Sequence, residues 1–428
     1  MHAGFAKSNI TPPLGTPMIG WGQRDAAGGC TVIHDPLFVR ALYLNQRTEE
    51  VLILAFDLIF IGRRDADRFK GVLGRELHLL PHQILLNASH THAGPRSWNF
   101  FRGLTKPADE VYLEKVQAAV VQAARTAKAN ARPATLTAGT GTTRIPISRR
   151  RLIKGRMQSA PNPAGLVNDA LPVVRLADRR NRTIALVFSI STHPVSFRGH
   201  TISADFPGAA IQELDPDHGM FLQGTCGDSR PAQLAHGDAW NWDSGWPETQ
   251  AIGRQLAAEV RAVKLKPVRP QLRTDLREMF WPLDKLWTPK MLKRELALPA
   301  ARRYWHNTGD EKLREWLDLE ERREHCGTTP TQVPLLLQGI QLGLDLRLVA
   351  LEGEVVAAHG LAMRRQFPKG VTFALGYSNG DAMYLPTSAM LPEGGYEVEC
   401  HAIFGWPGRL KKGMERILAK NLRQLRIR

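Results

Sequence analysis

Four short stretches of the chain carry side chains that could bind a cation or move a proton. Ser89-His90-Thr91-His92-Ala93-Gly94-Pro95 follows the apolar run Ile84-Leu85-Leu86 and Asn87. Histidines two apart on extended chain project to the same side, and neutral imidazole is the commonest side-chain metal ligand near pH 7. An HxH alone has modest specificity, and two ordinary histidines are the plain alternative. His193 stands in Ser191-Thr192-His193-Pro194, at the end of a second apolar run over 183–190. Glu354 lies where the chain leaves a third such run, 346–352, and it is expected to open a helix. The helix dipole favours a carboxylate there, so capping competes with ligation as its role. Tyr384 and Tyr396 sit in a Gly- and Pro-rich stretch after a fourth run, 371–377. Beside a cation, a phenol can ligate or can donate a hydrogen bond to a developing oxyanion.

The elements that must position these groups read as strands alternating with helices. Largely apolar runs at 51–60, 83–89, 183–191, 346–352 and 371–377 mark buried strands. Helical periodicity covers 109–129, and further helices are expected near Pro247, near Gly353 and from about Gly408 to the C-terminus. The alternation predicts an α/β fold, a mixed β-sheet packed between α-helices in a single catalytic domain. Residues 281–330, rich in Trp, Arg, Lys and Glu, read as a helical insertion within it. That insertion is either a lid over the site or a packing elaboration.

The 428 residues are enough for a large core, and no apolar run approaches the ~20 residues of a membrane-spanning helix. The N-terminal stretch lacks the basic start and apolar segment of a secretory signal, so a cytoplasmic location is expected unless a signal was removed. Four cysteines lie far apart without CxxC spacing, which argues against a disulfide framework or a cysteine zinc module. A net charge of +16 favours acidic partners, including an anionic substrate. It also admits a non-catalytic, basic nucleic-acid-binding protein. No zinc-finger spacing, RNA-binding signature or basic helix with interleaved aromatics supports that alternative, and no nucleic-acid partner is expected.

Taken in order, these segments resemble the neutral, non-lysosomal ceramidase family. The opening Gly4-Phe5-Ala6-Lys7-Ser8-Asn9-Ile10-Thr11-Pro12-Pro13 is similar to that family's start, and Ala55-Phe56-Asp57-Leu58 to its next strand. The likeness runs from about residue 3 to 225 and resumes from about 345 to 405. It implies one zinc ion per chain, held by His90, His193, Glu354 and Tyr384. It also implies His92, Arg149 and Tyr396 as catalytic neighbours, with Asp57 and Asp228 as candidates for fixing a histidine tautomer.

The implied reaction is hydrolysis of an amide (N-acyl) bond on a small-molecule or lipid-like substrate. A metal-dependent esterase or deacetylase acting on a sugar-linked or anionic small molecule is the alternative. The chain departs from the family in two ways. The family's SNLGD serine corresponds to Gly224 in Gly224-Thr225-Cys226-Gly227-Asp228. The chain also ends about 20 residues after the last motif, with no counterpart of the family's immunoglobulin-like C-terminal domain. Both point away from ceramide as the substrate.

Overall fold

A computed structural model describes residues 1–21, 28–97, 110–299 and 309–427. The chain is α/β, with mixed sheet and covering helices as expected, and its described strands form two main sheets stacked face to face with four small ones beside them. The larger runs, edge to edge, through Gly219–Gln223, Thr183–Ile190, Ala170–Asp178, Arg132–Thr142, His2–Asn9, Phe38–Gln46, Glu49–Phe56 and Ile84–Ala88. The smaller runs through Val371–Leu375, Leu346–Leu351, Gln332–Gly343, Pro270–Asp284 and Arg409–Leu410.

The stacking explains the apolar runs. Along Glu49–Phe56, Val51, Ile53 and Ala55 face the second sheet, meeting Ile340, Leu342, Leu348 and Phe373 in one core. Leu52, Leu54 and Phe56 point the other way, into a second core beneath two helices. Both faces of the strand are buried, so period-two alternation brings no polar residue.

The covering helices are amphipathic. Arg63–Leu77 buries Ala66, Phe69, Leu73 and Leu77, and Glu110–Ala129 buries Leu113, Val116, Val120 and Ala127, both at helical spacing. Asp205–Leu214 and Trp246–Ala262 cover another part of the large sheet. Ala357–Gln366 and Met414–Gln424 pack outside the small sheet, through Met363, Met414, Leu418 and Leu422. The last helix therefore starts at Met414 rather than near Gly408, because Arg409–Leu410 first pairs as an edge strand.

The stretch 281–330 is not helical throughout. It begins inside the strand Pro270–Asp284, and its helices are Pro289–Ala297 and Asp310–Cys326. They pack together through Leu292, Leu313 and Trp316. The expected helical residues 300–305 lie outside the described residues.

Within the two main sheets, three pairs of the described strands run parallel: Glu49–Phe56 with Ile84–Ala88, Thr183–Ile190 with Gly219–Gln223, and Leu346–Leu351 with Val371–Leu375. Asn87 ties the ends of three of these strands together. Its Nδ2 donates to Gly376 O (2.9 Å) and Ser378 Oγ (3.1 Å), while its Oδ1 accepts from Gln223 N (2.7 Å). The carboxyl ends of parallel strands are where open α/β folds present ligands, and here the ends of both sheets are brought together.

Candidate active site

His90, His92 and His193 meet at this junction, with one ring nitrogen from each lying within 4.8 Å of the other two. His90 follows the strand Ile84–Ala88 but not on extended chain, since its φ is +65°. The expected side-by-side projection of an extended HxH is therefore replaced by a turn. The two rings stand at 89° with centroids 4.8 Å apart, and their Nε2 atoms are 3.2 Å apart. Left-handed backbone at a non-glycine residue is uncommon, although histidine tolerates it better than most. The backbone N–H of His90 is held by Leu58 O at 2.9 Å, and that of His92 by Pro194 O at 3.0 Å.

Each imidazole is oriented by main chain. His90 Nδ1 lies 3.1 Å from Ile59 O, and His92 Nδ1 lies 2.9 Å from Gly20 O. His193 Nδ1 lies 2.7 Å from Cys226 O and 3.1 Å from Ser229 O. A carbonyl can only accept, so Nδ1 carries the proton in all three rings and each Nε2 presents a lone pair. Burial drives the pKa of His90 down to about 3, and burial with Arg149 close by drives that of His193 well down too. Both rings are neutral near pH 7.

Glu354 completes the cluster. Its Oε2 is 3.4 Å from His90 Nε2 and 3.5 Å from His193 Nε2. It does not open a helix. Gly353, at φ +103°, turns the chain out of the strand Leu346–Leu351, and Glu354–Val355 then pairs in parallel with Tyr384–Leu385. That register places Glu354 beside Tyr384, whose hydroxyl hydrogen-bonds the Glu354 carboxyl and lies 3.5 Å from His193 Nε2. Burial pushes the Glu354 carboxyl up to about 8. Lone pairs and a carboxylate facing one another in a desolvated pocket are mutually repulsive unless a cation or a proton sits among them. Nitrogen and oxygen donors at this spacing suit a divalent metal, and backbone-anchored imidazoles are how proteins prepare one.

Arg149 is buried beside the cluster. Its Nη1 is 3.3 Å from His193 Nε2, and its Nε donates to Glu397 at 2.8 Å. Its Nη2 is buried with no hydrogen-bond acceptor among the described residues. Tyr396 is 50% exposed, with its ring 5.3 Å from that of Tyr384 and 5.8 Å from the Arg149 guanidinium.

Asp57 and Asp228 sit differently from expectation. The carboxylate of Asp57 accepts from Arg40 Nη1 (2.7 and 2.8 Å) and Phe38 N (2.9 Å), and that of Asp228 accepts from Ala357 N (2.8 Å). Neither makes a hydrogen bond to a histidine among the described residues. Backbone carbonyls fix the tautomers instead, and no residue type announces those.

Three participants went unnoticed in the sequence. The Tyr377 hydroxyl donates to Glu354 Oε2 (3.2 Å), and its ring lies 4.2 Å from that of His90. Glu397 bridges Arg149 and Arg150. Trp21 packs 5.2 Å from His92. Tyr377 and Glu397 stand within the Gly-rich stretch already noted for Tyr384 and Tyr396, a signal that could have found them.

The position of the missing serine is closed by packing. A Cβ on Gly224 would lie 2.4 Å from Ser191 Oγ and 2.7 Å from Ile190 O. Thr225 Oγ1 accepts from Asn168 Nδ2 (3.1 Å), and the Cys226 thiol donates a hydrogen bond to the Tyr377 hydroxyl oxygen (3.1 Å). Burial raises the Cys226 thiol well above its ordinary pKa. Neither has the adjacent base that an activated nucleophile needs.

Comparison with solved structures finds the same fold in bacterial neutral ceramidase. A structure described as a ceramidase complexed with C2 superposes with a TM-score of 0.73 at 17% identity, over 99% of this chain and 73% of that one. Neutral ceramidase from Pseudomonas aeruginosa superposes with a TM-score of 0.71 at 18% identity, again over 99% and 73%. No family model matches the sequence, and a search of curated proteins finds no match. Among the described residues, no helix is long and apolar enough to cross a membrane.

Proposed function

We propose that this chain is a zinc-dependent hydrolase that cleaves a linear amide, an N-acyl bond, with water. One observation carries the reading: three imidazoles have their Nδ1 atoms committed to carbonyls and their Nε2 atoms turned on one another beside a buried carboxylate. His90, His193, Glu354 and Tyr384 would hold the ion, a donor set that suits zinc. Once bound, the ion would supply Lewis acidity toward a carbonyl and a lower pKa for water. The fold shared with ceramidases agrees with this chemistry.

The remaining groups divide the work by position. His90 and His193 are sealed from solvent, whereas His92 is half-buried. His92 is therefore the imidazole able to exchange protons with the outside. It takes a proton from the attacking water and returns it to the leaving nitrogen as the C–O bond forms and the C–N bond breaks. Arg149, with its free Nη2 aimed by the Glu397 ion pair, stabilises the oxyanion, and Tyr396 assists from the exposed side. Among the described residues no side chain has the adjacent base of a covalent nucleophile, so water attacks directly. The filled Gly224 position points to a substrate other than ceramide.

Metal analysis and hydrolysis test the proposal together. The purified protein should carry one zinc per chain and hydrolyse short N-acyl probes, losing activity with chelator and regaining it with zinc. His90→Ala and His193→Ala should lose the metal. His92→Ala should keep the metal and lose turnover. Stoichiometric metal retained in both His90→Ala and His193→Ala would refute the site. Parallel ester probes decide whether amide or ester is preferred.

A further inference from the structure

We infer that the approach to this site is an anion-binding subsite, formed by Arg198 and Arg230 between the indoles of Trp21 and Trp242, which receives a carboxylate carried on the substrate. The inference rests on the hydrolase reading and adds a substrate class to it. Exposure defines the approach. His90 and His193 are sealed, His92 is half-buried, Trp21 is half-buried against His92, and Trp242 is 39% exposed. The rings of Trp21 and Trp242 meet edge-on at 6.1 Å.

Two guanidiniums lie along this path. Arg198 stands 4.0 Å over Trp242 and 4.7 Å over Trp21. Arg230 stands 4.9 Å over Trp242, 5.2 Å over Trp240 and 5.9 Å over Trp21. Among the described residues, neither forms an ion pair. Arg230 is 91% buried by its 9% exposure, and its Nε is buried without an acceptor.

Three other buried arginines are compensated by a carboxylate. Arg40 has Asp57, and Arg149 and Arg150 share Glu397. At the mouth the protein sets two cations together, facing indoles, with Asp243 near enough to attract Arg198 but not paired with it. Burial, with Arg149 and Arg198 nearby, holds Arg230 down to about 9. Indole faces attract a guanidinium but leave its charge and its N–H donors unsatisfied. A planar carboxylate satisfies both, since it can accept two parallel N–H bonds from one guanidinium.

Matched substrate pairs test this. N-hexanoylglycine against N-hexanoylglycinamide places the charge on the amine side. Glutaric acid monobutylamide against its carboxamide analogue places it on the acyl side. The charged member of one pair should show a kcat/KM higher by about tenfold or more, a preference that shrinks with added salt. In Arg198→Gln/Arg230→Gln the ratio should fall to within about twofold, and Arg230→Lys should restore part of it. Equal kcat/KM within both pairs, or an unchanged ratio in the double variant, would overturn the inference while leaving the hydrolase reading intact. If no probe is hydrolysed, the hydrolase reading fails and binding decides this one. Chelator-treated wild-type protein should then still bind N-hexanoylglycine, read as quenching of tryptophan fluorescence. Arg198→Gln should weaken that binding, and binding as strong in the variant as in wild type would overturn the inference. Arg198 is exposed, so this variant folds even if Arg230→Gln does not.

Discussion

Glu397 is the group whose replacement tests the electrostatics of the site most sharply. Its Oε1 accepts from Arg149 Nε at 2.8 Å and its Oε2 from Arg150 Nη1 at 2.6 Å. All three side chains are at most 6% exposed. Burial pushes the Glu397 carboxyl up, but Arg149 and Arg150 more than offset it and hold its pKa below the ordinary carboxylate value. Glu397→Gln keeps the shape, removes the charge and turns an amide N–H₂ toward a guanidinium. Breaking a buried ion pair in this way costs about 3–5 kcal/mol, with little solvent screening to reduce it.

The unfolding entropy of a 428-residue chain, at ~2.1 cal/mol/K per residue, is about 0.9 kcal/mol/K. The midpoint should therefore drop by roughly 3–6 °C in a calorimetric scan at pH 7. The sign of the pH dependence follows from the lowered carboxyl. Its contribution is present above the unfolded value of about 4.3 and is lost as the pH falls through the folded value. The gap between wild type and variant should close in acid. Because Glu397 also aims Arg149, kcat should fall on the order of a hundredfold, the scale of losing one oxyanion donor. A midpoint within about 1 °C of wild type at pH 7 would mean that the pair is worth less than ~1 kcal/mol. The account of the site as desolvated would then be wrong.

Two further substitutions probe the framework. Lys70 is buried on the inner face of its helix, and its Nζ finds no hydrogen-bond acceptor among the described residues. Burial lowers its pKa to about 8. The unfolded chain keeps that proton up to about pH 10.4, so wild-type stability should rise between about pH 8 and 10. Lys70→Met should stabilise by roughly 1–3 kcal/mol at pH 7 and by little near pH 10, read from urea midpoints. A destabilised Lys70→Met at pH 7 would contradict this. Gly224→Ser restores the hydroxyl seen in the resembling family, but its Cβ would meet Ser191 Oγ at 2.4 Å and Ile190 O at 2.7 Å. It should destabilise by about 1–3 kcal/mol and leave N-acyl hydrolysis no faster. An unperturbed, more active variant would show that the strand ends yield more readily than their packing implies.

Much of this protein is legible without coordinates. Apolar runs located the strands ending at Ala88, Ile190, Leu351 and Leu375, because a strand buried on both faces has no polar alternation to disguise it. Each run stops where a His, Glu or Tyr follows, so the sequence also indicated which side chains stand at strand ends. It could not show that the runs belong to two sheets, since a strand covered by a helix and one covered by another sheet read alike.

Tertiary structure alone decided what those side chains meet. The left-handed backbone at His90, held by Leu58, and the Glu354–Tyr384 register each depend on a neighbour some thirty residues away in the chain. The tautomers are set by Ile59, Gly20 and Cys226 through their carbonyls, and every residue type has a carbonyl. Asp57 looked like a partner for a histidine and is instead neutralised by Arg40, because a carboxylate goes to the nearest buried cation that long-range packing provides. Residue types fixed the available donors and charges. Which lone pairs face one another, and which arginines form no ion pair, followed only from the convergence of the strand ends.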